Sequence, residues 1–300
     1  MLSPTTSQLL QAFFATSYVS SIYVHPDGRL KFEITPRGKK SPTRTRNDPL
    51  VIRTRLTAVV LATIVSCVVV ITTVFATLPS VEKTLPNALT QAWSLLGLKP
   101  SFTTPRIILP YLLVPVLYSG PLFTSFLASA LPFQRKFSFE LDVVNTYSSL
   151  QGLRNYIIAP ITEEIVFRAC ILSVSRMAGA SWQRMIFVTP LWFGVAHAHH
   201  AWEGFNMYGG TQRALGNAVA TSIIQLCYTT LFGWYTSFVF LRTRSIYAVC
   251  AAHMFCNFVG LPTISGDLKD FPRHKLMIWC SHIGGIVGFF LLLGPWTAGL

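Results

Sequence analysis

Charged residues are scarce in this chain, and acidic residues are the scarcest. Asp, Glu, Lys and Arg together make up 12% of the 300 residues, about half of the ~25% that is usual in soluble domains. Hydrophobic residues make up 51% and form runs long enough to cross a bilayer as helices. This composition excludes an ordinary soluble domain and indicates a polytopic membrane protein.

Several patterns that identify other protein classes are missing. The six cysteines all lie in apolar segments and form no Cys-x-x-Cys pair, so we predict small buried residues instead of disulfides or zinc ligands. The chain has no His-Glu-x-x-His, the helical spacing of many zinc proteases. It also shows no internal repeat, which counts against the paired halves of many transporters.

The apolar runs predict an all-α fold, a polytopic membrane bundle of about eight transmembrane helices, because a segment in lipid must satisfy its backbone hydrogen bonds internally. The predicted spans cover residues 8–24, 56–78, 107–131, 154–178, 184–202, 214–241, 245–261 and 276–294. The run 85–98 is short, and is either an interfacial helix or part of a further span. The first run lacks a preceding charge and a small-residue cleavage site, so we expect a retained span instead of a signal peptide.

The basic residues are concentrated in one place. The net charge of +13 could indicate a nucleic-acid partner, but nine of the 24 Lys and Arg residues lie between Arg29 and Arg55, in a loop between two apolar runs. Such a loop is a positive-inside topology signal. We therefore predict a cytosolic basic loop at about 25–55, flexible from 36 to 49, with the lipid bilayer and not nucleic acid as the neighbour.

Two adjacent glutamates, Glu163 and Glu164, lie inside the apolar run 154–178. An ionisable residue in a membrane span costs at least ~2.5–3.5 kcal/mol and is by default a sign of function. Glu164 and Arg168 are four residues apart, so they share a helical face and can form an ion pair. Glu163 lies about 100° round the helix and is the better candidate for a general base. The structural alternative is an ion-pair network that joins two helices.

Two further polar motifs follow on later spans. His197 lies within its apolar run, whereas His199 and His200 approach the end of that run and have equal claims to a structural role. His253 and Asn257 are four residues apart on one helical face, where both could donate hydrogen bonds to a developing oxyanion. The alternative for this pair is a polar contact between helices.

These residues are compatible with two hydrolytic mechanisms and with one function of another class. Glu163 and His197 could activate a water molecule while His253 and Asn257 bind the oxyanion. Alternatively, His197, His253 and a glutamate could hold a Zn²⁺ ion that activates the water. A proton-coupled transporter could use the same buried Glu, Arg and His residues as a relay.

The order of the motifs resembles that of a known family. Glu-Glu-x-x-x-Arg at 163–168, Phe-x-x-x-His at 193–197 and His-x-x-x-Asn at 253–257 follow one another on successive spans. This order is similar to that of the type II CaaX prenyl endopeptidases, the Ras-converting enzyme group of the glutamate intramembrane proteases. Segments that resemble the eukaryotic members in particular are 17–24, 154–164, 194–200 and 228–233.

The resemblance implies a multi-pass protease of the endoplasmic reticulum membrane that removes the C-terminal -aaX tripeptide from prenylated CaaX proteins, such as Ras-like GTPases and lipidated pheromones. It implies a single domain over 1–300, with a catalytic core at about 150–262 and a cavity between the central and C-terminal spans that opens to the cytosol. In that family the mechanism is metal-independent, and no cofactor is expected.

The resemblance also assigns a role to each site residue. Glu163 becomes the general base, and His197 orients or shares the water. His253 and Asn257 form the oxyanion hole, while Glu164, paired with Arg168, shapes the site.

Overall fold

The computed structural model of the chain describes residues 1–34, 40–99 and 105–298. Most of them are helical, as the apolar runs predict. The α-helices are α1 Pro4–Val24, α2 Pro49–Thr77, α3 Leu85–Leu95, α4 Leu109–Leu117, α5 Ser119–Leu127, α6 Thr146–Ser148, α7 Leu150–Gly152, α8 Ala159–Glu164, α9 Ile171–Met177, α10 Leu191–Ala196, α11 His199–Met207, α12 Gln212–Thr243, α13 Ile246–Val259, α14 Ile264–Asp270 and α15 Lys275–Trp296.

Three of these helices are long and apolar enough to cross a membrane, namely α2, α12 and the segment Pro272–Trp296 that contains α15. Two bent pairs raise the number to five within the described residues if each is one span: Arg106–Leu117 with α5, bent by 66°, and α13 with α14, bent by 49°. The fold is therefore that of a multi-pass helical membrane protein. The expected count of about eight spans stays a prediction.

Local signals at its ends explain the bounds of α2. The Asp48 side chain accepts hydrogen bonds from the backbone N–H groups of Leu50 and Val51, and Pro49 occupies the start of the helix. An Asp N-cap followed by Pro is a strong start signal. The helix therefore begins before the predicted span at 56 and carries Arg53 and Arg55 in its first turns.

The basic loop is more ordered than predicted. Strand β1, Lys31–Ile34, pairs antiparallel with strand β2, Lys40–Arg44. The Arg44 side chain also contacts Asp27 at 3.2 Å. The prediction of a flexible loop over 36–49 is therefore wrong for β2, because its backbone is paired in a ladder, while residues 35–39 lie outside the described residues.

Wider π-helical turns interrupt the helical segment that carries the two glutamates. They are Phe139–Asn145, Leu153–Ile158 and Ile165–Cys170, and a fourth lies at Arg184–Val188. Helix α8 lies between the second and the third, and Pro160 near its start lacks the N–H that a regular helix would use there. π-helical turns are rare and are frequent at functional sites.

The bundle brings α8 into its interior. Helix α1 packs against α2 and α9, and α13 packs against both α4 and α8. Helix α15 lies against α4 and α5, at a distance that only small residues permit. A Cβ on Gly285 would lie 2.7 Å from the Val116 carbonyl oxygen, and one on Gly120 would overlap the His282 ring. Such close approach is a common means of helix association in membranes.

The cysteines differ in burial. All six are free thiols; Cys170 is buried as predicted, and Cys67, Cys250 and Cys256 are partly buried. The prediction of burial is wrong for Cys227 and Cys280, which lie on outward faces of α12 and α15. Apolar sequence alone does not distinguish a residue that faces lipid from one that faces the core.

Candidate active site

The two glutamates have different surroundings at the end of α8. The Glu164 side chain is completely buried, whereas the Glu163 side chain is 21% exposed. The difference follows from helix geometry, since neighbouring residues point about 100° apart. One carboxylate is therefore built into the core, and the other remains accessible.

Glu164 is held by two partners. Its Oε2 lies 3.1 Å from Arg168 Nε, so the ion pair that their spacing of four residues predicts is present. Its Oε1 lies 2.7 Å from His253 Nδ1 on α13. Glu164 thus connects its own helical segment to α13.

Arg168 is fully buried, and other groups besides Glu164 stabilise it. Its Nε donates to Thr236 Oγ1 on α12 at 2.9 Å. Its guanidinium lies 4.1 Å from the centre of the Phe193 ring, a cation–π contact that is worth more when it is removed from water. Arg168 therefore ties three helical segments together around Glu164.

His253 lies between the two glutamates. While Nδ1 contacts Glu164, its Nε2 is 3.7 Å from Glu163 Oε2. A neutral imidazole has one N–H donor and one acceptor, and only the protonated ring donates from both nitrogens. The geometry thus restricts the predicted oxyanion role of His253 to Nε2, because Nδ1 is already in use.

His197 follows the last residue of α10, with its ring against Phe193 at 4.6 Å. Its Nδ1 is 2.7 Å from the Phe193 carbonyl oxygen. A carbonyl can only accept, so Nδ1 carries the proton and Nε2 is left as an acceptor. The Phe193 ring also lies 6.1 Å from the His253 ring, which places His197 beside the carboxylate cluster.

Asn257 lies one helical turn beyond His253 on α13 and is exposed. Its Nδ2 donates to the Asn155 backbone carbonyl at 2.9 Å, which leaves its second amide N–H for another acceptor. Of the predicted site residues, Glu163, Glu164, Arg168 and His253 are in direct contact. His197 joins them through Phe193, and Asn257 lies at the rim.

Aromatic and hydroxyl residues that no polar motif in the sequence indicates complete the site. Tyr18 on α1 shares a 2.9 Å hydrogen bond with Thr162, the residue before Glu163. Phe232 on α12 packs edge-on against the His253 ring at 5.0 Å. The available signal was the family resemblance of the segments 17–24 and 228–233, which contain Tyr18 and Phe232.

A second polar cluster lies where α11 meets the end of α1 and the first turns of α2. Glu203 Oε1 is 2.8 Å from Arg55 Nη2 and accepts from the Tyr23 hydroxyl at 3.2 Å. His200 Nδ1 lies 3.7 Å from Glu203 Oε2. Burial acts to raise the pKa of Glu203, but His200 and Arg55 outweigh it and lower the pKa to about 2.

This cluster predicts an acid sensitivity. The pKa of Glu203 falls from its ordinary 4.5 to about 2 on folding, so ionised Glu203 stabilises the protein above pH ~4.5 by on the order of 3 kcal/mol. That contribution is lost as the pH falls from ~4.5 to ~2. In thermal unfolding of detergent-solubilised protein, the wild type should lose more stability over this window than Glu203→Gln. Equal losses would contradict the assignment.

The described residues contain no group of three or more His, Cys, Asp or Glu side chains arranged to hold a metal ion. His253 contacts Glu164 through Nδ1, and His197 contacts a carbonyl oxygen through Nδ1, so each ring keeps a free Nε2. Such contacts also occur in metal-binding histidines. What counts against the zinc site of His197, His253 and a glutamate is that the described residues do not bring three such ligands together.

Comparison with known proteins gives consistent matches. A family model described as "Type II CAAX prenyl endopeptidase Rce1-like" matches residues 145–259, which include every site residue that the sequence predicts but not Tyr18. The chain is 33% identical over 286 residues to "Probable CAAX prenyl protease 2" of Schizosaccharomyces pombe, covering 95% of this chain and 92% of the relative. It is 32% identical over 289 residues to "CAAX prenyl protease 2" of Homo sapiens, covering 94% and 78%. No solved structure matches the chain.

Proposed function

This chain belongs to the Rce1-like type II CaaX prenyl endopeptidase family, and we propose that Glu163 activates the water molecule with which it cleaves prenylated CaaX proteins. The chain is a CaaX endopeptidase of the membrane, as the names of its relatives indicate. The substrates would be proteins with a farnesylated or geranylgeranylated CaaX cysteine, including Ras-like GTPases and lipidated pheromones.

The proposed reaction is hydrolysis of the amide bond after the prenylated cysteine. Glu163 takes a proton from water, and the water oxygen attacks the cysteine carbonyl carbon. The C–N bond then breaks, and the amine of the tripeptide receives the proton that Glu163 took. The cysteine keeps the new carboxyl group, which ionises by releasing the second proton of the water to solvent. A positioned general base contributes about 10²–10⁴-fold to such a rate.

The observation that carries this proposal is the difference in burial and contacts between the two carboxylates. Glu164 is buried and is in contact with Arg168 and His253, whereas Glu163 is partly exposed and, among the residues that the structure describes, has only the longer 3.7 Å ion-pair contact with His253. A base must be free to accept a proton, which favours Glu163. In this mechanism His197 shares the water through Nε2, the nitrogen left as an acceptor.

The ring of His253 presents one nitrogen towards the proposed reaction site. Its Nδ1 is in contact with Glu164, and its Nε2 lies 3.7 Å from Glu163 Oε2. In the proposed mechanism the ring donates from Nε2 to the oxyanion of the tetrahedral intermediate, with the free N–H of Asn257 as the second donor.

The proposed setting is the endoplasmic reticulum membrane, with one protease domain over 1–300 and a site that opens to the cytosol. The basic segment from Arg29 to Arg55 supports this orientation through the positive-inside rule. At ~1.5 Å per helical residue, the site residues would lie some 6–14 Å below the surface. That depth suits a prenyl chain held between helices, with the scissile bond near the interface.

The test is cleavage of a synthetic farnesylated CaaX peptide by the purified protein, with the products identified by mass spectrometry. We expect release of the intact -aaX tripeptide, and no release from the same peptide without the prenyl group. A well-folded preparation that releases no tripeptide would refute the protease function and favour the transporter alternative.

Chelation separates the proposed mechanism from the zinc alternative. Because Glu163 and His197 activate water without a Lewis acid, activity should persist at its original rate after treatment with 1,10-phenanthroline followed by dialysis. A metalloprotease treated in parallel serves as the control for effective metal removal. Loss of activity that added Zn²⁺ alone restores would establish the zinc mechanism instead.

A further inference from the structure

Arg154 is a half-buried cation that is held by neutral groups. Its Nε donates to Asn155 Oδ1 at 2.9 Å and its Nη2 to Asn47 Oδ1 at 3.0 Å, while Nη1 donates to the Arg46 carbonyl oxygen. A guanidinium has five N–H donors, so two remain. Within the described residues no carboxylate lies within ion-pair distance of Arg154.

The charged neighbours of Arg154 do not neutralise it. They are two cations, Arg46 and Arg55, and one acid, Glu203. Glu203 is already paired with Arg55 at 2.8 Å. Partial burial of a guanidinium without a counter-ion costs free energy, and the planar geometry of the group matches that of a carboxylate. The surroundings of Arg154 therefore lack one negative charge.

Arg154 lies next to the proposed oxyanion hole. Asn257 Nδ2 is 2.9 Å from the Asn155 carbonyl oxygen, and Asn155 Oδ1 is 2.9 Å from Arg154 Nε. Since the two oxygens of one asparagine are at most ~5 Å apart, Arg154 Nε lies within about 11 Å of the Asn257 amide. An extended tripeptide spans about 10 Å. The upper limit on the separation of Asn257 and Arg154 therefore accommodates an extended tripeptide between them.

We propose that Arg154, positioned by Asn47 and Asn155, binds the free C-terminal carboxylate of the -aaX tripeptide. This inference rests on the proposed function. It explains how the enzyme would select substrates with three residues after the scissile bond. The prenylated cysteine is bound at one end of the site, and the terminal carboxylate is bound at the other. Arg154 is thus a specificity-determining residue for a chain end, distinct from the groups that act on water.

The experiment compares two farnesylated CaaX peptides, one with a free C-terminal carboxylate and one with a C-terminal amide. For the wild type we expect kcat/KM to be about ten- to a hundredfold higher for the free acid, the range of a hydrogen bond to a charged group. In Arg154→Gln this ratio should fall towards one, because kcat/KM should fall for the free-acid peptide and stay unchanged for the amide peptide. Arg154→Lys keeps the positive charge but not the planar guanidinium, so it should retain part of the preference for the free-acid peptide.

Arg53→Gln is the matched control, because Arg53 is an exposed arginine in the same basic segment, and it should keep the wild-type ratio. An equal loss on both peptides in Arg154→Gln would overturn the inference and indicate a structural or lipid-binding role. Equal cleavage of acid and amide by the wild type would also overturn it while leaving the proposed function intact. If the wild type cleaves neither peptide, the proposed function fails, and this inference with it.

Discussion

Replacing Glu163 by glutamine is expected to reduce kcat for a farnesylated CaaX peptide by about 10²–10⁴-fold while the protein stays folded. Glutamine has nearly the same shape, but it cannot accept a proton from water. The side chain is 21% exposed, and its ion-pair contact with His253 is long, at 3.7 Å, so little folding energy depends on it. The measurement is steady-state hydrolysis, with thermal unfolding of the same preparation in detergent.

The matched control for this variant is Glu140→Gln, because Glu140 is an exposed glutamate in the π-helical turn Phe139–Asn145. It should hydrolyse the peptide at the wild-type rate. His197→Gln should lose activity in the same range as Glu163→Gln, since it removes the Nε2 acceptor. A Glu163→Gln enzyme with a kcat close to that of the wild type would remove Glu163 from the mechanism.

Replacing Glu164 by glutamine should have a different result, with loss of stability as well as activity. The change leaves the fully buried Arg168 without its carboxylate partner. Glutamine has a single carbonyl oxygen, so it can accept from Arg168 or from His253 but not from both as Glu164 does. Breaking one partner of a buried ion pair costs about 3–5 kcal/mol. The midpoint of thermal unfolding should therefore fall well below that of both the wild type and Glu163→Gln.

The double variant Glu164→Gln with Arg168→Met tests whether the pair is the cause. Replacing both charges removes the uncompensated one, so the double variant should be more stable than Glu164→Gln alone. It should remain inactive, because His253 has lost its charged partner. If Glu164→Gln unfolds at the wild-type temperature, Glu164 does not hold the site together.

The local parts of this site could be predicted from the sequence. The pair Glu164–Arg168 follows from a spacing of four residues on one helix. The same spacing places Asn257 one turn beyond His253 on α13, and their joint role in an oxyanion hole stays a prediction. The end of α2 at Thr77 lies close to its prediction because Pro79 follows. In each case the determining interaction lies within a few residues along the chain.

The contacts between distant segments could not be predicted in the same way. Arg55 and Glu203 are 148 residues apart, and no local pattern pairs them. The contact of His253 with both glutamates depends on how α13 packs on α8, which apolar periodicity does not specify. The hairpin of β1 and β2 was missed because its basic composition resembles that of a solvated loop, whereas backbone pairing depends little on charge.

The most direct test of the central claim is a single-turnover experiment with enzyme in excess over a farnesylated CaaX peptide, in metal-stripped buffer. The wild type should release the tripeptide at its normal rate. Glu163→Gln should still bind the farnesylated peptide but should release the tripeptide at least about a hundredfold more slowly. Equal rates for the two proteins, or release by the wild type only after Zn²⁺ is added, would contradict water activation by Glu163.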